Sequence, residues 1–313
     1  MTLRTLGNSD LQLTPIGFGA WAVGGPWQFG WSAQDDDASV AAILRALELG
    51  INWIDTAAIY GLGHSEEVVA RALAEWKGDR PHVFTKCSMV WDAAGNVDYA
   101  YSEASIRREV EASLRRLQTD VIDLYQMHWP DDDLGRTLEG WAAMAKLKDE
   151  GKVRWIGASN FNVEELTEAG EIAEVTSLQP PYSLLNRDVE AEVLPYCEAN
   201  GIGVINYSPM GSGMFTGAMT AERVAGLPED DWRKRNPNFQ EPKLSAHLAV
   251  AERLKTVGAR HNVSAGVVAI AWTRRLSAIT APIVGARSAT QVEGTIIALD
   301  FTLTADEIAF IEG

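Results

Sequence analysis

INWID (51–55), HVFTK (82–86) and DLYQMH (123–128) are short apolar runs that end, in turn, on Asp55, Lys86 and His128. Each is rich in β-branched and large apolar residues and leads through a loop into a helical pattern. The runs therefore read as parallel strands of βα units, near 52–55, 82–86 and 122–128. Further strands are expected near 16–19, 153–157, 176–179, 202–206 and 281–284. Helices are expected near 36–49, 65–76, 102–117, 136–149, 163–173, 188–199, 245–259, 263–275 and 304–312. Gly50, Gly151 and Gly201 stand where helices end before strands. Asp35-Asp36-Asp37 and Ser65-Glu66-Glu67 stand where helices begin. This alternation predicts a (β/α)8 (TIM) barrel, whose chemistry sits at the C-terminal strand ends. With neighbouring strands about 4.8 Å apart, Asp55, Lys86, His128 and Tyr60, five residues past Asp55, can converge at one mouth.

The length of 313 residues fits a single domain over 1–313. Around Gly7-Asn8-Ser9 the pattern alternates as in an N-terminal β-hairpin, a plug under the barrel. After the seventh strand, residues 208–244 form a long stretch rich in Gly, Pro, Asn and charge, followed by extra helices. Such insertions are usually lids or binding loops. The net charge of −16, from 43 acidic and 27 basic residues, opposes binding to nucleic acid or anionic membranes. Cys87 and Cys197 read as reduced, buried thiols, and the five histidines show no metal-ligand spacing. The N-terminus lacks a signal-peptide core and no apolar run approaches the roughly 18 residues of a membrane span. A cytoplasmic protein is expected; monomer and homo-oligomer both stay open.

Tyr60 can act as a general acid if its phenol, with an ordinary pKa of about 10, is brought closer to neutrality. A neighbouring Lys86 ammonium would do this by favouring phenolate. Asp55 would hold the ammonium, and a neutral His128 could donate a hydrogen bond to a substrate oxygen. Taken singly, each residue has a structural explanation: an ion pair, a core-edge tyrosine, a lone histidine. Their joint placement at successive strand ends points instead to stabilising and protonating a developing oxyanion.

The chain resembles the aldo-keto reductase family over essentially its full length. The resemblance lies in NWIDTAAIYG-x-GHSEEVVARAL around Asp55 and Tyr60, VFTK at Lys86, DLYQMHWP at His128 and GKVRWIGASN (151–160). It continues in LQPPYSLLNR (178–187), INYSPMGSGMFTG (205–217) and PIVGARSATQ (282–291). The resemblance implies a barrel that binds NADPH in an extended pose and reduces aldehydes or ketones. It also implies that Tyr60 is the general acid, Lys86 its pKa depressor, Asp55 the lysine's partner and His128 the substrate-orienting residue.

GSGMFTG (211–217) is not a dinucleotide-loop fingerprint, because it lies late in the chain and opens no βαβ unit. The resemblance implies that Ser208, Met210, Gly211 and Ser212 line the pyrophosphate. Ser159, Asn160 and Gln179, at strand ends, suit the nicotinamide carboxamide, and Tyr207 offers a ring for stacking. Gly285, Ala286, Arg287 and Ser288 lie between the last strand and a helix, where arginine suits a 2′-phosphate and favours NADP(H) over NAD. Gln291 fits the family's pattern, whereas Gly294 and Thr295 stand where relatives often carry Glu-Asn, so the adenine contacts depart from it. Trp21, Trp27 and Trp31 crowd the loop after the first strand, Trp91 follows the third and Trp129 follows His128. Trp21 and Trp129 are expected to face a small carbonyl or sugar-like substrate. Asp131-Asp132-Asp133, if near the mouth, would disfavour anionic substrates, and His64 is expected to turn its loop. Two alternatives remain: a sugar or polyol dehydrogenase working oxidatively, and a cofactor-binding redox-sensing subunit.

Overall fold

The computed structural model describes residues 2–28, 30, 34–229 and 231–313. Its parallel strands are β1 (Gly17–Gly19), β2 (Trp53–Asp55), β3 (His82–Cys87), β4 (Ile122–Met127), β5 (Val153–Ser159), β6 (Ser177–Gln179), β7 (Gly203–Val204) and β8 (Ile283–Gly285). They pair in chain order, and β8 returns to pair with β1 in the register Ile283↔Gly17. The remaining seam closes through a parallel bridge between Val204 and Ile279 and an Ile283 N–H donated to Asn206 O at 2.8 Å. The result is a (β/α)8 barrel with an N-terminal hairpin, Arg4–Thr5 against Gln12–Leu13.

Strand period two builds the interior in layers, because residues two apart share a face. Trp53, Phe84, Leu124 and Ile205 form the lower layer, and Leu6, Leu11 and Leu13 of the hairpin pack against them as the expected plug. Gly17 makes this layer possible, since a Cβ there would lie 2.2 Å from the Trp53 ring. Two residues further along these strands come Asp55, Lys86, Gln126 and Tyr207. Residues of the alternate face, among them Ile54, Val83, Tyr125 and Met127, join the larger core under the helices.

The helices begin and end close to their expected positions. Asp35 caps Asp36–Glu48 by accepting from the Asp37 and Ala38 N–H groups, and Gly50, Gly151 and Gly201 all take positive φ. Ser65 does not cap its helix. The helix starts at His64, and the Ser65 hydroxyl turns inward to Thr56 and the Ala20 carbonyl. The expected helix 188–199 is a 3-10 turn, Asp188–Glu190, followed by Val193–Ala199. Pro195 lacks an N–H and so sits in the first turn of a helix rather than its interior. A hairpin, Met89–Trp91 with Val97–Tyr99, follows β3 and has no period that marks it in the sequence. The segment 208–244 is folded: Gly211–Thr216, Trp232–Arg235 and Pro237–Phe239 are 3-10 turns and Ala221–Ala225 is helical. It buries Met214, Phe215, Met219 and Phe239. Among the described residues, no helix is long and apolar enough to cross a membrane.

Candidate active site

Lys86 organises the site. Its buried ammonium donates to Asp55 Oδ1 at 2.6 Å, to Thr56 O at 2.9 Å and to the Tyr60 hydroxyl oxygen at 3.3 Å. All three of its N–H bonds are thereby committed. Asp55 is 3 % exposed, and its Oδ2 accepts from Gln126 Nε2 at 3.1 Å and Gln179 Nε2 at 2.8 Å. Behind the lysine, buried Glu66 accepts from Thr85 and from Arg116 Nε, each at 2.6 Å. Tyr60 is carried by the loop after β2, which meets the loop after β1 backbone to backbone. A Cβ on Gly61 would come within 2.0 Å of Gly24 O, so the approach requires glycine. The His128 ring stands edge-on to Tyr60, 5.6 Å between centroids.

Burial pushes the Tyr60 phenol well above its usual range, and the Asp55 carboxylate pushes the same way. The expected net lowering of this pKa is therefore not found: lost hydration and Asp55 outweigh the stabilisation that the Lys86 ammonium gives the phenolate. At 2.6 Å the carboxylate cancels most of the ammonium's charge, so the phenol senses lost hydration more than a cation. Lys86 itself is lowered by burial, against Asp55 and Glu66. His128 is pulled well below its usual value by burial and by Lys86, which favours the neutral imidazole. The phenol oxygen accepts from lysine, which leaves its own proton to be aimed into the cavity.

That cavity, about 800 Å³, is lined by Asp55, Tyr60 and His128 and also by Arg287 and Gln291. Ser159, Asn160, Gln179, Tyr207, Ser208, Met210, Ser212 and Gly285 line it, as do Trp21 and Trp129. Several are bound to one another. Asn160 Nδ2 donates to His128 O at 2.9 Å, Tyr207 donates to Asn160 Oδ1 at 2.9 Å, and Ser159 donates to Gln179 O at 2.8 Å. Gln291 Oε1 holds the Arg287 N–H at 2.8 Å. Asp231, held below its usual pKa by Arg233, also feels the charge of Arg287.

Some expected contributors lie elsewhere. Gly211 turns the chain against Leu185, 2.7 Å from where its Cβ would stand, and it is Gly213 that reaches the wall. Trp91 packs on Arg116, and Trp31 lies outside the described residues. Asp133 caps Leu134–Asp149 and Asp131 pairs with Arg136 at 2.7 Å, and neither lines the cavity. His64 pairs with Asp36 at 2.9 Å. Trp27, one of the indoles expected around the mouth, lines it too, and Met89, Tyr99, Trp232 and Arg233 join the wall unforeseen. Trp232, from 208–244, stands 6.0 Å from Trp21, both lining the cavity, a contact between distant segments that no local pattern announces. Gln126 did carry a signal: a polar residue inside an apolar run, two positions before His128 and so on the same face.

Residues 15–313 match the Aldo/keto reductase family. The chain is 36% identical over 309 residues to "Aldo-keto reductase YhdN" of Bacillus subtilis (strain 168), covering 98% of this chain and 91% of that protein. It is 35% identical to the "NADH-specific methylglyoxal reductase" of Escherichia coli (strain K12), covering 96% of this chain and 94% of the relative. Among solved structures, a glycerol dehydrogenase from Gluconobacter oxydans superposes with a TM-score of 0.89 at 37% identity, covering 99% of this chain and 93% of that one.

Proposed function

The chain belongs to the aldo/keto reductase family, and from that premise we propose that it is an NADPH-dependent reductase of aldehydes and ketones with Tyr60 as proton donor. One observation carries the reading. Tyr60, whose hydroxyl lies 3.3 Å from Lys86 Nζ, lines the same cavity as Arg287.

The cavity fits an elongated dinucleotide. At Gly285 a Cβ would meet nothing nearer than 3.7 Å and at Gly294 nothing within 4 Å, so bare backbone leaves room along the wall. NADPH, when bound, supplies the hydride to the carbonyl carbon. Ser159, Asn160 and Gln179 would hold the carboxamide, Tyr207 would stack on the ring, and Ser208, Met210 and Ser212 would line the pyrophosphate. Arg287 would take the 2′-phosphate. Neutral His128 orients the carbonyl oxygen, Tyr60 passes its proton to that oxygen, and Lys86 steadies the phenolate left behind. Trp27 packs on Tyr60, and Trp21 and Trp129 line the same cavity, an aromatic wall that suits uncharged carbonyls with aromatic or aliphatic bodies.

Steady consumption of NADPH with a panel of aldehydes tests the reading, with NADH run in parallel. Because one relative is named NADH-specific, the cofactor choice is a separate measurement. Arg287→Ala is expected to cut the kcat/KM preference for NADPH over NADH by about tenfold or more, the size of a lost charge-assisted hydrogen bond. An unchanged ratio would remove Arg287 from the phosphate site.

The likeness to a glycerol dehydrogenase supports a second reading, in which the same residues run an alcohol oxidation. The raised phenol pKa separates the two directions. Reduction consumes the protonated phenol, so its kcat should stay level through neutral pH and fall only at strongly alkaline pH. Oxidation needs phenolate and should rise about tenfold per pH unit across the neutral range. A reductive rate that already declines between pH 6 and about 8 would contradict this assignment of the proton.

A further inference from the structure

Gln126 has no role in the reaction as described, yet it is fully buried beside the charged pair. A carboxylate only accepts hydrogen bonds, so the amide nitrogens of both Gln126 and Gln179 must turn towards Asp55 Oδ2. Gln126 Oε1 then accepts the second Gln179 N–H, at 2.9 Å. This arrangement fixes three things together. Asp55 is held with Oδ1 towards Lys86, the Gln179 amide cannot rotate, and its carbonyl oxygen becomes the group able to accept from a carboxamide N–H in the cavity.

We propose that Gln126 is a positioning residue that locks Asp55 against Lys86 and sets the orientation of Gln179, linking the cofactor's carboxamide seat to the proton donor. The inference rests on the reductase reading above. The charged and titratable groups facing Lys86 are Asp55, Tyr60 and Glu66, with His128 close by; Gln126 governs the first of these. When Asp55 is loosely held, the ammonium is less supported against burial and loses its proton at lower pH. The phenolate that forms at Tyr60 then lacks its cation.

The test compares wild type with Gln126→Met, which keeps the volume and removes both polar atoms, and Gln126→Glu, which can donate only when its carboxyl is protonated. With NADPH and a reducible aldehyde, Q126M is expected to lose about tenfold or more in kcat, with the alkaline limb of its pH profile moved to lower pH. The dissociation constant for NADPH, followed by fluorescence quenching, should change much less than kcat. Q126E should regain rate as pH falls, a dependence that a merely structural role would not produce. A folded Q126M with wild-type kcat and pH profile overturns the proposal. So does unfolding of both variants, which would make the residue structural; if Q126M alone unfolds, the profile of Q126E decides. A wild type that reduces no aldehyde with either cofactor would instead sink the reductase reading itself.

Discussion

Tyr60→Phe should cut carbonyl reduction by about 100- to 10,000-fold, the range a positioned general acid contributes, while leaving NADPH binding nearly unchanged. The substitution removes one oxygen. The ring keeps its packing against Trp27, 6.2 Å between centroids, and its edge contact with His128. Lys86 loses its weakest partner, at 3.3 Å, and retains Asp55 and the Thr56 carbonyl. The loss should therefore appear in kcat, with little change in KM for the cofactor and none in the melting temperature beyond a degree or so. A variant that keeps within threefold of the wild-type kcat would take the proton donor elsewhere, and with it the assigned mechanism.

Lys86→Met should be costly twice over. Lys86 is 1 % exposed and its partner Asp55 3 %. Removing the cation leaves a buried carboxylate supported only by the amides of Gln126 and Gln179. Breaking such a pair from one side typically destabilises by about 3–5 kcal/mol, since the remaining charge is uncompensated. Activity should fall at least as far as in Tyr60→Phe, because nothing stabilises the phenolate. The double variant Asp55→Asn, Lys86→Met removes both charges and should recover most of the stability in urea unfolding while staying inactive. If Lys86→Met unfolds at the wild-type urea concentration, the two charges do not depend on each other for stability.

Much of this site could be read along the chain, and the reason is geometric. A strand alternates faces, so the apolar runs that end in Asp55, Lys86 and His128 had to deliver those side chains to the same rim once the strands closed into a barrel. The plug was readable for the same reason, since the hairpin's Leu6, Leu11 and Leu13 alternate with polar residues. The hairpin at Met89–Tyr99 was not, because strands of three residues are too short to show a period. The interior of 208–244 was not either: its 3-10 turns are held by contacts such as Trp232 on Trp21 and on Phe239.

Fold class, the order of the units and the convergence of Asp55, Lys86 and His128 at one rim thus followed from local periodicity, which needs no knowledge of distant segments. The protonation preferences did not. Whether the Tyr60 phenol is made more or less acidic depends on how far Asp55 neutralises Lys86 and how completely water is excluded around them. The task of Gln179 was equally hidden, because its amide answers to Asp55 and Gln126, 124 and 53 residues away in the chain. Hydration and hydrogen-bond partners are properties of the packed barrel, set by residues far apart in sequence, and they convert a recognisable set of side chains into a site with a defined proton.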